Sequence, residues 1–246
     1  VNAAGIPWEA GKQRYEAVHA EGARTIAEAA ATMGATRLVH ISGLGTDNRS
    51  TSNRFIKSKI AAEDAIVAAF PNATILRPSV VFGPNDVFFN RLGQIASKAP
   101  VLPLIGNGAA RVQPVYVGDV GDAVAAVLGR ADTARSVFEL GGPRVYTHRE
   151  IAELVLREVD RQKPVVGTPV ALMKIAGFLA QQIARVGLTP PITADQVDLV
   201  GLDNIVRPGA KDLASLGITA TAPEAILPMY LDRYRIGGRY NQHAPA

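Results

Sequence analysis

The strongest constraint on the fold is an alternation, running through residue 142, of helical-period segments and short apolar runs rich in β-formers. Tyr15, Val18, Gly22, Ile26, Ala29, Ala30 and Met33 recur at helical spacing over 12–33, and Gly34 marks the stop. "RLVHIS" (37–42) reads as a buried strand. A polar loop over 43–53 leads to a helix over 54–70, closed by Pro71, and then to "ATILRPSVVFG" (73–83), a strand broken at Pro78. Helix, strand, helix, strand with short connections predicts parallel βαβ units. A helix over 86–99, a turn-rich extended stretch over 100–117, a helix over 120–130 and a strand over 136–142 continue the series. Asp119 and Asp122 are expected to cap the 120–130 helix, with Asp119 also able to hold a neighbouring loop.

From residue 147 the pattern changes. Thr147 and Glu150 form a capping-box pairing, and the following helices lack long apolar strands between them. The expected organisation is a doubly wound α/β domain over 1–146 and a smaller, mainly helical lobe over 147–240. The lobe shares the 76–117 loops, and 241–246 is a tail.

The 246 residues are 48% hydrophobic, enough for one substantial core and a second lobe. Cysteine is absent, which excludes disulfides and thiolate chemistry. The net charge of +4 is scattered and no basic run reads as a nucleic-acid patch. No apolar stretch reaches the length of a membrane span, and "PVALMKIAGFLAQQIARVGL" (169–188) is interrupted by Lys174, Gln181, Gln182 and Arg185. Leu172, Ile175, Ala176, Leu179, Ile183 and Val186 recur there at helical spacing. The plain expectation is a helix packed on its own core. The other is a surface lying against lipid or a neighbouring subunit, followed by a Pro190–Pro191 break. No signal peptide is visible, and no His, Asp or Glu group has metal-ligand spacing.

Phe55 and Lys59 lie one turn apart on one helix face. A Tyr and a Lys at this spacing handle a proton in many nicotinamide-dependent enzymes, the ammonium favouring the phenolate. Phe55 has no proton to give, so only Lys59 retains a ligand role. "LRPSVVFGP" (76–84) shapes a rigid loop at a strand's C-terminal edge, where open α/β sheets bind ligands. His40, inside an apolar strand, reads as a hydrogen-bonded structural imidazole. His19, with Glu16 and Glu21 near it, reads as part of a solvated helix face.

"VNAAG", "GARTIAEAAATMGATRLVHIS", "KSKIAAED", "ILRPSVVFGP", "QPVYVGDVGDAV" and "FELGGP" follow, in order, the pattern of extended short-chain dehydrogenase/reductases. The sequence most resembles the atypical branch that contains the complex I accessory subunit of the alpha subcomplex (subunit nine) and its bacterial relatives. The resemblance covers residues 1–145 well and the remainder more loosely. It implies a Rossmann-like parallel sheet lacking its N-terminal strands, in a chain truncated before Val1. It also implies nucleotide contacts from Ser42, Lys59, Arg77, Pro78, Ser79 and Val80.

Three departures from the family pattern bear on function. No G-x-x-G-x-x-G turn occurs in the sequence, Phe55 stands at the Tyr position, and Gly43 and Leu44 occupy the slot of the enzymes' Ser/Thr. The implied function is a non-catalytic accessory subunit of respiratory complex I, peripheral to the cytoplasmic face of a bacterial inner membrane. It would contact subunits near the membrane arm, and no nucleic acid. NADP(H) or NAD(H) would bind the full-length parent, and weakly or not at all this portion. The alternatives are an active extended dehydrogenase/reductase or nucleotide-sugar epimerase, and an NADP-sensing regulatory protein.

Overall fold

The computed structural model describes residues 1–185 and 192–238, with no side-chain description for 183–185. Pro190–Pro191, the Val186 position of the apolar stripe and the 241–246 tail lie outside those bounds, and the Ile183 side chain is among those not described. A π-helical turn, Glu16–Glu21, runs into α1 (Gly22–Thr32). Gly34 takes the left-handed conformation, φ 69°, that turns the chain toward β1 (Val39–Ile41). α2 (Arg54–Ala69) starts where the Asn53 side chain accepts the Ile56 N–H at 3.1 Å. β2 (Thr74–Pro78) and β3 (Val81–Phe82) are separated by the break that Pro78 imposes.

There follow α3 (Phe88–Lys98), β4 (Leu102–Ile105), β5 (Arg111–Val112), β6 (Val115–Tyr116), α4 (Val117–Gly129) and β7 (Val137–Leu140). α4 starts three residues earlier than its sequence pattern predicts. Asp119 therefore sits inside its first turn, and its carboxylate accepts from the Thr221 N–H and hydroxyl at 2.7 and 2.8 Å. It holds a neighbouring loop. The later elements are β8 (Tyr146–Thr147), α5 (His148–Glu158), β9 (Val165–Thr168), α6 (Val170–Arg185), α7 (Ala194–Val200), α8 (Pro223–Ile226) and α9 (Pro228–Leu231). The Thr147–Glu150 capping box opens α5 as expected.

β1, β2 and β7 form a parallel sheet in that order. Asn2 extends it on the β1 side: its N–H donates to Val39 O at 2.8 Å and its carbonyl accepts from Ile41 at 2.9 Å. Because successive side chains alternate between faces, Leu38 packs with α1 and α2 while Val39, Leu76, Phe138 and Leu140 pack against α4. Helices thus cover both faces, as a parallel sheet requires. A separate cluster joins Phe82, Phe89 and Leu102 to Ile151, Leu154 and Tyr230. Among the described residues no helix is long and apolar enough to cross a membrane.

The α2-facing side of the sheet is not wholly apolar. The same alternation that sends Leu76, Phe138 and Leu140 to α4 sends Arg77 and Glu139, paired in register, toward α2. The Arg77 guanidinium grips Glu63 of α2 through two bonds, Nε–Oε1 at 3.0 Å and Nη2–Oε2 at 2.6 Å. Glu139 Oε1 stands 3.8 Å from Arg77 Nη1 and 2.6 Å from Arg207 Nη2. Removing one member of a buried pair typically costs about 3–5 kcal/mol, because the survivor's charge is left uncompensated. Arg77→Met should lower the urea unfolding free energy by that order, and Arg77→Met with Glu63→Met by less than the single change. A double variant as unstable as the sum of the two singles would show that the pair is not coupled.

Candidate functional site

The C-terminal ends of β1 and β2 bring Ser42, Pro78, Ser79 and Val80 together, and Lys59 lies on α2. Ser42 N–H donates to Leu76 O, Leu44 N–H to Pro78 O and Ser79 N–H to Leu140 O, so the three strand ends are tied edge to edge. The Ser42 hydroxyl donates to Glu63 Oε1 at 2.5 Å, and the Thr46 hydroxyl reaches the same oxygen at 2.8 Å. The Ser79 hydroxyl lies 2.6 Å from Asn204 Oδ1. The Val80 carbonyl accepts from Val115. Of the residues expected to touch a nucleotide, Ser42, Arg77 and Ser79 are therefore engaged within the chain. Lys59 is the one whose charged end has no ion-pair partner among the described residues.

Lys59 is buried, and burial lowers its pKa against the opposing influence of Glu63, one turn away. Its Nζ lies 6.0 Å from the centre of the Phe55 ring. A Cβ at Gly5 would stand 3.3 Å from that Nζ and 3.5 Å from His19 Nε2, so a glycine there lets the backbone come close to the ammonium.

Two histidines border the same place, and both depart from the sequence expectation. His19 is buried rather than solvated. Ser58 donates its hydroxyl proton to Phe55 O at 2.7 Å, so His19 Nδ1–H donates to Ser58 Oγ at 2.8 Å. Nε2 then accepts the Ile6 N–H at 3.0 Å. These partners fix one neutral tautomer. His40 is buried as expected, but neither ring nitrogen has a hydrogen-bond partner. Burial, aided by the Lys59 charge, pushes each imidazole down to about 4. Tyr15 stacks on His19 at 5.4 Å and meets Phe55 edge-on at 5.7 Å, and its hydroxyl donates to Pro7 O at 3.3 Å. Burial, then the Asp195 and Glu9 carboxylates, push the Tyr15 phenol above its ordinary range.

Lys59, Gly5 and His40 supply one buried ammonium, a glycine that admits close backbone approach and an imidazole without a hydrogen-bond partner. The phenol that the Lys59 charge would activate is missing at Phe55, and Tyr15 is shifted the wrong way to replace it. The sequence reading missed His19, Glu63 and Tyr15. Glu63 had a signal, four residues beyond Lys59 on one helix face. Among the described residues no cluster of His, Asp and Glu could hold a metal ion.

The RmlD substrate binding domain family matches residues 7–178, and the chain belongs to it. The resemblance drawn from the sequence also holds. The chain is 34% identical over 92% of its length to the 40 kDa subunit of NADH-ubiquinone oxidoreductase of Neurospora crassa, covering 58% of that protein. It is 32% identical over 83% of its length to the mitochondrial NADH dehydrogenase [ubiquinone] 1 alpha subcomplex subunit 9 of Arabidopsis thaliana, covering 52%. The chain thus spans just over half the length of these relatives. A 105-residue stretch, 43% of the chain, is 41% identical to the ceramide reductase of Caulobacter vibrioides, covering 32% of it. In fold, the chain is similar to the dTDP-glucose 4,6-dehydratase DesIV of Streptomyces venezuelae, solved with NAD and TYD bound. The TM-score is 0.60 at 16% identity, covering 92% of this chain and 71% of the other. The Rossmann-like α/β architecture expected from the sequence is the one observed.

A histidine whose folded pKa lies below its unfolded value of about 6.5 supplies stability above that pH and loses it as pH falls toward the folded pKa. The urea midpoint should therefore fall between pH 7 and pH 5. In His40→Leu it should fall less, since one of the depressed imidazoles is gone. Equal falls in both proteins would mean that His40 is not held neutral by burial.

Proposed function

We propose that this chain is the larger part of a non-catalytic, NAD(P)-binding accessory subunit of respiratory complex I, peripheral to the cytoplasmic face of a bacterial inner membrane. The observation that carries the reading is the pairing of a buried Lys59 with Phe55, in a chain similar to complex I subunits over most of its length. General acid–base residues contribute about 10²–10⁴-fold in rate, and here the proton donor is absent. In this reading residues 1–146 complete a dinucleotide-binding domain and 147–240 form the smaller lobe. The mixed core of Phe82 and Phe89 with Ile151 and Tyr230 supports a share of the 76–117 loops for both.

Lys59 would bind a ribose hydroxyl at the nicotinamide end, with Ser42, Pro78, Ser79 and Val80 shaping the strand edge. Arg77 would act by holding that edge through Glu63. A nicotinamide cofactor supplies hydride chemistry when bound; these residues would orient it and exclude water without passing a proton. Copurification of the full-length protein with complex I subunits tests the assignment, and its recovery as a free enzyme would overturn it. The second reading, a reductase acting on a lipid-like substrate, is favoured by the local 41% identity to a ceramide reductase. NADPH oxidation at ordinary enzyme rates with such a substrate would select it.

Two substitutions sharpen the site. In the full-length protein, Lys59→Ala should weaken nucleotide binding by about 1.5–3 kcal/mol, the usual worth of a hydrogen bond to a charged group. Unchanged calorimetric affinity would remove Lys59 from the site. Phe55→Tyr should yield no efficient enzyme, because Gly43 and Leu44 fill the slot of the Ser/Thr partner. A large gain in turnover would show that the remaining apparatus is intact.

A further inference from the structure

Lys59 has a cover one backbone thick. Gly5 is exposed to solvent, yet a Cβ on it would stand 3.3 Å from Lys59 Nζ, and Lys59 beneath it is 9% exposed. The same Cβ would stand 3.5 Å from His19 Nε2, so that ring flanks the ammonium. Gly5 belongs to a stretch, residues 3–9, that runs between two fixed points. At one end Asn2 is bonded to both Val39 and Ile41 of β1. At the other, Ala10 and Gln13 exchange backbone bonds of 3.2 and 2.8 Å across a turn in which Gly11 takes φ 53°.

Side chains hold the stretch in place. Among the described residues, no backbone–backbone hydrogen bond joins any of residues 3–9. The Ala4 N–H donates to the Asn2 side chain at the fixed end. Farther along, the Ile6 N–H donates to His19 Nε2 at 3.0 Å. The Pro7 carbonyl accepts the Tyr15 hydroxyl at 3.3 Å, a long bond. The buried Glu9 carboxylate accepts the Tyr15 N–H at 3.1 Å and pairs with Arg54 at 2.8 Å and with Arg14 at 3.8 Å. Exposed segments poor in backbone bonds open at low free energy while the core stays closed. Ala3, Ala4, Gly5 and Pro7 are exposed, whereas Val39 and His40 of the adjoining strand are buried.

We propose that residues 3–9 are a gate over Lys59, latched by His19, Tyr15 and Glu9, which swings away from the ammonium before a ligand hydroxyl can reach it. His19 is a positioning residue: its neutral tautomer presents a lone pair at Nε2 to the Ile6 N–H, and that bond sets Gly5 over Lys59. The gate deepens the nucleotide-binding reading and rests on it for the identity of the ligand, a ribose, alone.

The test is pulsed reductive methylation of the full-length protein with formaldehyde and cyanoborohydride, read by peptide mass spectrometry, with amide hydrogen exchange in parallel. Lys57, exposed on the same helix, is the internal standard. Burial lowers the Lys59 pKa, which by itself would favour the reaction, so slowness reports access. Lys59 should react at least about tenfold more slowly than Lys57, as a group reached by local opening does. His19→Phe keeps a ring beside Tyr15 and removes the Ile6 acceptor. Glu9→Gln keeps an acceptor for the Tyr15 N–H and removes the charge paired with Arg54. Each should speed Lys59 methylation and Ile6 amide exchange about fivefold, the order expected for one lost hydrogen bond. Lys57 methylation and exchange of the sheet-bonded Ile41 amide should not change. His19→Gln, whose carbonyl can accept, should restore most of the protection. Lys59 reacting as fast as Lys57 in the native protein would overturn the proposal, and so would Lys59 methylation unmoved in either variant. Should His19→Phe also loosen Ile41, Glu9→Gln decides alone, and the same loosening there would make the opening part of general unfolding and overturn the gate. NADPH at saturation should protect Lys59 further. If it does not, while the variants behave as expected, the gate stands and the nucleotide reading falls.

Discussion

The architecture depends on one buried charge pair. Arg77, at the end of a central strand, and Glu63, on the helix that covers it, meet through a two-bond fork inside the protein. A buried carboxylate is tolerable only when its oxygens are satisfied. Glu63 meets that demand by also accepting from Ser42 and Thr46. The loop after β1 is thereby fixed to α2. On the other side Glu139 passes the charge on to Arg207, which lies 3.3 Å from Asp47. Strand ends, helix and loop are locked in one arrangement, and the candidate site takes its shape from that lock.

Lys59 stands apart from this economy of satisfied charges. Its neighbours are an imidazole committed to Ile6 and Ser58, an imidazole with nothing to bond, and a benzene ring. In the proposed reading, Lys59 without an activated phenol suits the holding of a nucleotide as a structural element. Ligand binding to the folded state alone stabilises it by mass action. In an accessory subunit, that gain would be the nucleotide's purpose.

The regular elements were legible because periodicity is local. The helices over 54–69 and 148–158, the buried strands and the chain reversal at Gly34 all follow from residues within a few positions of one another. His19 was misplaced for a definite reason. It lies in a π-helical turn, which holds more residues per turn and so breaks the 3.6-residue phase on which the face was read. His40 was correctly buried, but neither of its ring nitrogens makes the expected hydrogen bond. The apolar stripe of α6 was visible as a period. A period does not reveal which side faces inward, and the small residues Gly177 and Ala180 decided that against α7. Glu63, Glu139 and Arg207 were illegible as a network because their pairing joins segments far apart in sequence.

The backbone between 203 and 221 has a history written into its contacts. Asn204 caps the Ser79 hydroxyl, Lys211 O receives the Glu139 N–H, Leu213 and Leu216 complete the core beneath α4, and Thr221 is held by Asp119. This stretch lies beyond α7 in sequence, yet it packs on the sheet in space. A chain cut before residue 203 would therefore leave the sheet without part of its own core.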